Sequence, residues 1–282
     1  MVSNTSEREL IIEPGRSGKN YWGDIWNYRE LFFFLAWRDI LVRYKQTVIG
    51  LAWSIIRPFL TIVIMTVVFG QLAKMSSGGA PYAILVCAAT LPWMFFSTAF
   101  SDSSNSLIAN SNMLTKIYFP RLIVPGSTVI VNFIDFLISL VILIGMMFWY
   151  HYVPTWNILV LPLFFILALF TALGAGFYVA AVNVKYRDFR YIVPFIVQFG
   201  LFISPVGYST DTIAAKYGET GRMLYSLNPM VGVIDGFRWC ILGRTNSIYL
   251  PGLFISIVFT ILLFSFGVWY FRKMEKSFAD VI

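Results

Sequence analysis

Six long apolar runs, separated by short polar or basic breaks, constrain this chain more than any other feature. They occupy residues 51–72, 82–100, 123–150, 157–182, 191–208 and 250–271. A helix needs about 20 residues to cross some 30 Å of hydrocarbon. In that layer only elements that satisfy their own backbone hydrogen bonds persist. The runs therefore predict an all-α, polytopic membrane protein with six transmembrane helices. Pro162, Gly174, Gly176 and Pro194 fall inside them, as lipid-embedded helices tolerate when neighbours satisfy the freed backbone groups.

Composition excludes several other readings. Hydrophobic residues make up 58% of the 282 and charged residues 12%, with a mean hydropathy of +0.74. A water-soluble fold would lack the polar surface to cover itself. The net charge of +7 does not signal nucleic acid, because the bases are scattered singly between apolar runs rather than gathered on one face. Two cysteines and one histidine, Cys87, Cys240 and His151, are too few and too far apart for a zinc site or a Cys/His nucleophile. No catalytic, cofactor-binding or metal-binding set is expected.

The bases also set the orientation. An even number of crossings puts both termini on one side of the membrane. Of the 21 Lys and Arg residues, sixteen then share that side and five (Lys74, Lys216, Arg222, Arg238 and Arg244) lie on the other. Basic segments stay in the cytosol, so both termini are expected there. Residues 1–23 show no apolar leader and read as a cytosolic tail.

The breaks differ in character. Residues 24–50 interleave Trp26, Phe32, Phe34 and Trp37 with Arg29, Arg38, Arg43 and Lys45, a pattern suited to a helix lying among headgroups. Such a segment either levers the first crossing or simply fixes its topology. Residues 101–122 form a Ser/Asn-rich cytosolic excursion with room for a short helix. Residues 183–190 form a tight basic turn, in which Arg187 and Asp188 read as a surface pair. Residues 209–249 are too apolar for a solvated loop, yet their apolar stretches are too short to cross, which predicts re-entrant helices at the outer face. Asp135 is the one carboxylate inside a predicted crossing, with Asn132 one turn earlier on the same face. Intramembrane polar groups mark either a transport pathway or hydrogen bonds between helices, and both readings stand. Arg57, near the cytosolic end of the first run, can snorkel to the headgroups.

Five segments carry a family resemblance: RYKQTVIGLAWSIIRPF (43–59), TKIYFPRLIVP (115–125), VKYRDFRY (184–191), FISPVGYS (202–209) and LNPMVGVIDGFRW (227–239). In this order and spacing they resemble the permease subunits of ABC-2 type polysaccharide exporters, which serve O-antigen, teichoic-acid and polyol-phosphate export. The resemblance covers about residues 24–282. It implies a homodimer working with two copies of a separate ATPase, moving a lipid-linked glycan across the bacterial inner membrane through a channel at the dimer interface.

The resemblance also assigns roles. A gate helix would use Trp37, Arg38, Arg43, Tyr44 and Lys45. An ATPase-coupling helix would lie within 106–116, with Ser106, Leu107, Asn110, Met113 and Lys116. The re-entrant helices would fall near 212–242. ATP and magnesium would belong to the partner subunit, since GRSGKN (15–20) has neither the spacing of a phosphate-binding loop nor the hydroxyl residue after its Lys. Aromatic residues make up 18% of the chain, and flat aromatic faces suit a sliding sugar polymer. Trp93, Phe96, Tyr178, Phe199, Phe202 and Tyr208 are the candidate channel residues, with packing or lipid contact as the alternative. A secondary carrier would show inverted repeats and several intramembrane ionisable groups. A membrane transferase would need a cluster of His, Asp, Glu or Cys at one face. Neither signature is present in the sequence. An ABC-2 type exporter of a lipid or small molecule remains the alternative cargo reading.

Overall fold

A computed structural model describes residues 21–45, 50–75, 78–114, 116–186, 188–243, 248–276 and 278. Most of the expected tail, residues 1–20, lies outside this set. So do 46–49 of the gate segment, 115 of the coupling segment, 187 of the basic turn and 244–247 of the outer segment. The described residues are helical, with no strand among them.

The helices are α1 (Tyr21–Asn27), α2 (Arg29–Lys45), α3 (Gly50–Met65), α4 (Tyr82–Ala109), α5 (Ser111–Leu114), α6 (Ile123–Trp149), α7 (Leu161–Lys185), α8 (Phe189–Ile203), α9 (Thr210–Tyr225), α10 (Pro229–Leu242) and α11 (Leu250–Glu275). A π-helical stretch, Thr66–Leu72, continues α3, and a 3-10 turn, Trp156–Val160, leads into α7. Five continuous helical segments are long and apolar enough to cross a bilayer: Ala52–Leu72, Tyr82–Ala109, Ile123–Trp149, Trp156–Lys185 and Leu250–Glu275. The sixth expected crossing differs. Its helix, α8, has 15 residues and reaches about 22 Å at 1.5 Å per residue. Residues 204–208, expected in the same crossing, form an irregular turn in which Ser204, Pro205, Val206 and Gly207 are buried.

Helix α4 is the axis of the bundle. In its most apolar window 83% of residues are buried inside the chain, against 17 to 33% for the other four crossings. Its small residues explain the position. Ala83, Ala88, Ala89, Ala99, Ser103 and Ser104 are buried and let α6, α7 and α10 approach closely, in a solvent where helix association depends on close packing. Helices α7 and α11 meet by the same means. A Cβ on Gly174 would lie 2.7 Å from the backbone of Phe264, and one on Gly267 would collide with the Gly174 carbonyl. Thr171 and Thr260 add a 3.0 Å hydroxyl contact across the same seam.

The expected excursion at 101–122 begins later than its composition suggests, because α4 runs on as helix to Ala109. Ser and Asn continue the helix because their side chains bond back along it: Ser106 Oγ donates to the Ser103 carbonyl, and Asn105 and Asn110 donate to Ser101 and Ser106. Only the four-residue α5 follows before the chain turns at Pro120 into α6.

Candidate gate cluster and outer clamp

Helix α2 runs beside the first half of α6, with Phe32 against Gly126 near one end and Tyr44 on Asp135 near the other. Its apolar side faces away from the bundle and its polar side toward it. Phe33, Phe34, Trp37, Leu41 and Val42 point outward, while Leu35 and Ala36 are buried and Arg38, Asp39, Arg43 and Tyr44 face the bundle half-buried. Outward apolar groups are stable where the surroundings are acyl chains. The inward polar groups need partners within the protein.

They find them on α3, α4 and α6. Arg43 forms a 3.0 Å ion pair with Asp135, a 3.6 Å pair with Asp102 of α4, and donates to the Asn132 amide oxygen at 3.2 Å. Tyr44 and Ser54 each donate a 2.6 Å hydrogen bond to the same Asp135 oxygen. Asn132 donates in turn to Asp102 at 3.0 Å. Burial and the adjacent Asp135 carboxylate push the Tyr44 phenol up to about 12, so it remains a donor at every working pH. Four helices are thus cross-tied through two carboxylates and one guanidinium. Two of the gate candidates, Arg43 and Tyr44, thus join the intramembrane pair Asn132 and Asp135 in one network.

Asp135 lies fourteen residues before Trp149, about 21 Å along the axis. If the hydrocarbon begins near Trp149, the cluster sits some 9 Å inside its opposite edge, where ionised groups are less costly than at the midplane. Beside it is a cavity of about 460 Å³ lined by Trp53, Arg57, Pro58, Met94, Thr98 and Ser139 together with Arg43 and Asp135. Arg57 presents its exposed guanidinium there and forms no ion pair among the described residues. No group of three or more His, Cys, Asp or Glu residues among the described ones could hold a metal ion.

The remaining sequence candidates separate into distinct environments. Trp37 and Lys45 are exposed on α2, while Arg38 is held by Asp39 and by Asn110, at 2.7 and 2.8 Å. Asn110 therefore ties the end of α4 to α2. Ser106 and Leu107 are buried within α4, Met113 is half-buried on α5, and Lys116, Ile117 and Tyr118 form the exposed tip. Among the aromatics, Trp93 and Phe96 are packed inside, Trp93 filling the space above Gly200 of α8. Tyr178 packs against Phe266 and edge-on to Tyr270 of α11. Phe199 and Phe202 are more than half exposed, as are Tyr191 and Phe195, so α8 carries an outward aromatic stripe.

The sequence reading missed one residue of structural weight. Arg238 was counted only as an outer base, yet it is 1% exposed. Its guanidinium donates to the carbonyls of Tyr208, Val206 and Leu85 at 2.7, 3.0 and 3.4 Å, clamping α10 to the turn after α8 and to α4. Tyr82 donates to the Gly207 carbonyl, Tyr225 to that of Ile203, and Asn228 to Ser204, completing the clamp. Its sequence signal was an Arg three residues after Asp235 in the otherwise apolar VGVIDGFRWCIL, where charges without buried partners would be costly.

The model of the ABC-2 type transporter family matches residues 30–242, from α2 through α10. The chain belongs to the ABC-2 type transporter family. The match includes the Arg43–Asp135 cluster, residues 106–116 and the Arg238 clamp; it leaves out α1 and α11. Among relatives, the chain is 26% identical over 259 residues to an O-antigen export system permease protein of Myxococcus xanthus, covering 92% of this chain and 98% of that protein. It is 25% and 26% identical to two O-antigen export system permease proteins of Klebsiella pneumoniae, covering 90% of this chain and 95% of each. As an ABC-2 family member the chain is a multi-pass membrane component of a transporter.

Proposed function

We propose that this ABC-2 protein is the permease subunit of an exporter that carries a lipid-linked polysaccharide across the bacterial inner membrane. It works as a homodimer with two copies of a separate ATPase, and both termini are cytosolic. The observation that carries this reading is the similarity to three O-antigen export permeases over 90% or more of the chain.

The geometry is consistent with a division of labour. Helix α2 is the gate, closed by the Arg43 and Tyr44 ties to Asp135. The exposed tip at Lys116 to Tyr118 is the surface offered to the ATPase. Movement there reaches the gate through Asn110, which already holds Arg38. The α8 stripe of Tyr191, Phe195, Phe199 and Phe202 lines the dimer channel with weak, repeatable contacts. Helix α10, 14 residues long and about 21 Å, re-enters the outer leaflet. The cargo enters near Arg57, whose unpaired cation suits an anionic headgroup.

Deleting the gene in its host tests the proposal. The expected result is loss of surface polysaccharide with accumulation of the lipid-linked glycan at the cytosolic leaflet, restored by the intact gene. Unchanged surface glycan would overturn it.

A further inference from the structure

Outside the family match, at the far end of α11, a second cavity of about 540 Å³ lies between α1 and the last turns of α11. Its chemistry is graded. Phe264 and Val268 form an apolar wall; Trp22 and Trp269, both more than half exposed, stand at the rim; Arg272, Lys273 and Lys276 close the polar end. None of the three cations forms an ion pair among the described residues. Arg272 rests 4.6 Å above the Tyr21 ring and Lys273 lies 5.2 Å from Trp269. The one carboxylate in the wall, Glu275, is already engaged: it accepts from the Arg121 backbone amide at 2.8 Å, and its main-chain carbonyl accepts from the Arg121 side chain at 2.7 Å. The pocket therefore keeps an excess of positive charge.

Its position fixes what that charge faces. Arg272 and Lys273 occupy the last turn of a 26-residue apolar crossing and Lys276 its C-cap, so they stand at the boundary between hydrocarbon and headgroups on whichever side the helix ends. Trp at the rim is the residue type that settles at that boundary. Basic pockets between helices there are suited to anionic lipid headgroups.

We infer that the α1/α11 pocket is a binding site for an anionic glycerophospholipid of the surrounding bilayer, its phosphate held by Arg272, Lys273 and Lys276 and its acyl chains laid along Phe264 and Val268. The site is independent of the transported cargo. It ties α1, and through it the start of the gate helix, to the end of α11. The competing occupant is the chain's own segment 1–20, which precedes Tyr21 and carries Glu7, Glu9 and Glu13 alongside Arg8, Arg16 and Lys19.

The test is native mass spectrometry of the full-length purified permease, titrated with phosphatidylglycerol or with phosphatidylcholine of the same acyl chains. The expected result is selective retention of one phosphatidylglycerol per chain. A headgroup cation contributes roughly a fivefold factor, so the R272Q/K273Q/K276Q variant is expected to lose at least about tenfold of that preference. The R272K/K273R/K276R variant is expected to keep it, which separates charge from misfolding. Equal retention of the two lipids, or no change in the glutamine variant, would overturn the assignment. So would displacement of the lipid by excess inorganic phosphate alone, or selectivity that appears only after residues 1–20 are removed. Since the readout is lipid retention and not glycan export, it stands or falls separately from the transport reading.

Discussion

Replacing Asp135 by Asn keeps the shape of the gate cluster and removes its organising charge. In the native arrangement Asp135 accepts two 2.6 Å hydrogen bonds, from Tyr44 and Ser54, and pairs with Arg43 at 3.0 Å. Hydrogen bonds to a charged group contribute about 1.5 to 3 kcal/mol and neutral ones about 1, so the three contacts together lose about 2 to 4 kcal/mol. Arg43 retains Asn132 and Asp102, and the pair is partly exposed, with 22% of the Asp135 side chain accessible; solvent screening brings the expected loss to about 2 kcal/mol. That corresponds to roughly a 30-fold rise in the population with α2 undocked. Hydrogen exchange of the α2 amides in lipid nanodiscs reads it directly: protection of α2 falls by about that factor while α7 and α11 are unchanged. Arg43→Gln is expected to give a similar loss, and the double variant less than the sum, because both changes remove one interaction. Unchanged α2 protection, or uniform loosening of all the spans, would refute the reasoning.

Further predictions follow from other contacts. Arg238→Leu leaves three buried carbonyls without their donor and should destabilise the protein by about 3 kcal/mol or more, seen as a lowered thermal midpoint in detergent. Gly174→Val drives a branched side chain into the Phe264 backbone and should separate α7 from α11 at a cost of about 1 to 3 kcal/mol, read from increased exchange at that seam. Charge reversal at Lys116, or shortening of the segment 106–116, should abolish surface glycan while membrane insertion, followed by protease protection, stays intact. Because the Tyr44 phenol is raised from 10 to about 12, its contribution should be constant below pH 10 and fade as the pH climbs through 12. Tyr44→Phe should lack that alkaline loss in an exchange profile.

Much of the architecture was legible because lipid imposes a simple length rule. The starts of α4 and α6, both preceded by Pro or a basic turn, stand where the apolar runs begin. What was not legible arises from interactions between segments. Ser103 to Asn110 looks like a loop in sequence, and stays helical because each short polar side chain returns its hydrogen bond to its own helix. Asp135 and Arg43 are both visible as intramembrane and juxtamembrane charges, but their pairing spans 92 residues and follows only from α2 lying along α6. Arg238 is indistinguishable by composition from a surface base; three carbonyls from distant elements make it a clamp. The central place of α4 is likewise hidden, since the surrounded crossing is the least hydropathic of the five, at 1.8 against 1.9 to 2.6, and only its distribution of small residues marks it.

The proposed gate is expected to open only with a separate ATPase subunit. The decisive measurement is movement of a labelled lipid-linked glycan across reconstituted vesicles containing the permease alone or the permease with its co-encoded ATPase and ATP. Transport that requires the ATPase and nucleotide, and is altered by Asp135→Asn, is the predicted result. Transport of the glycan at full rate by the permease alone would contradict it.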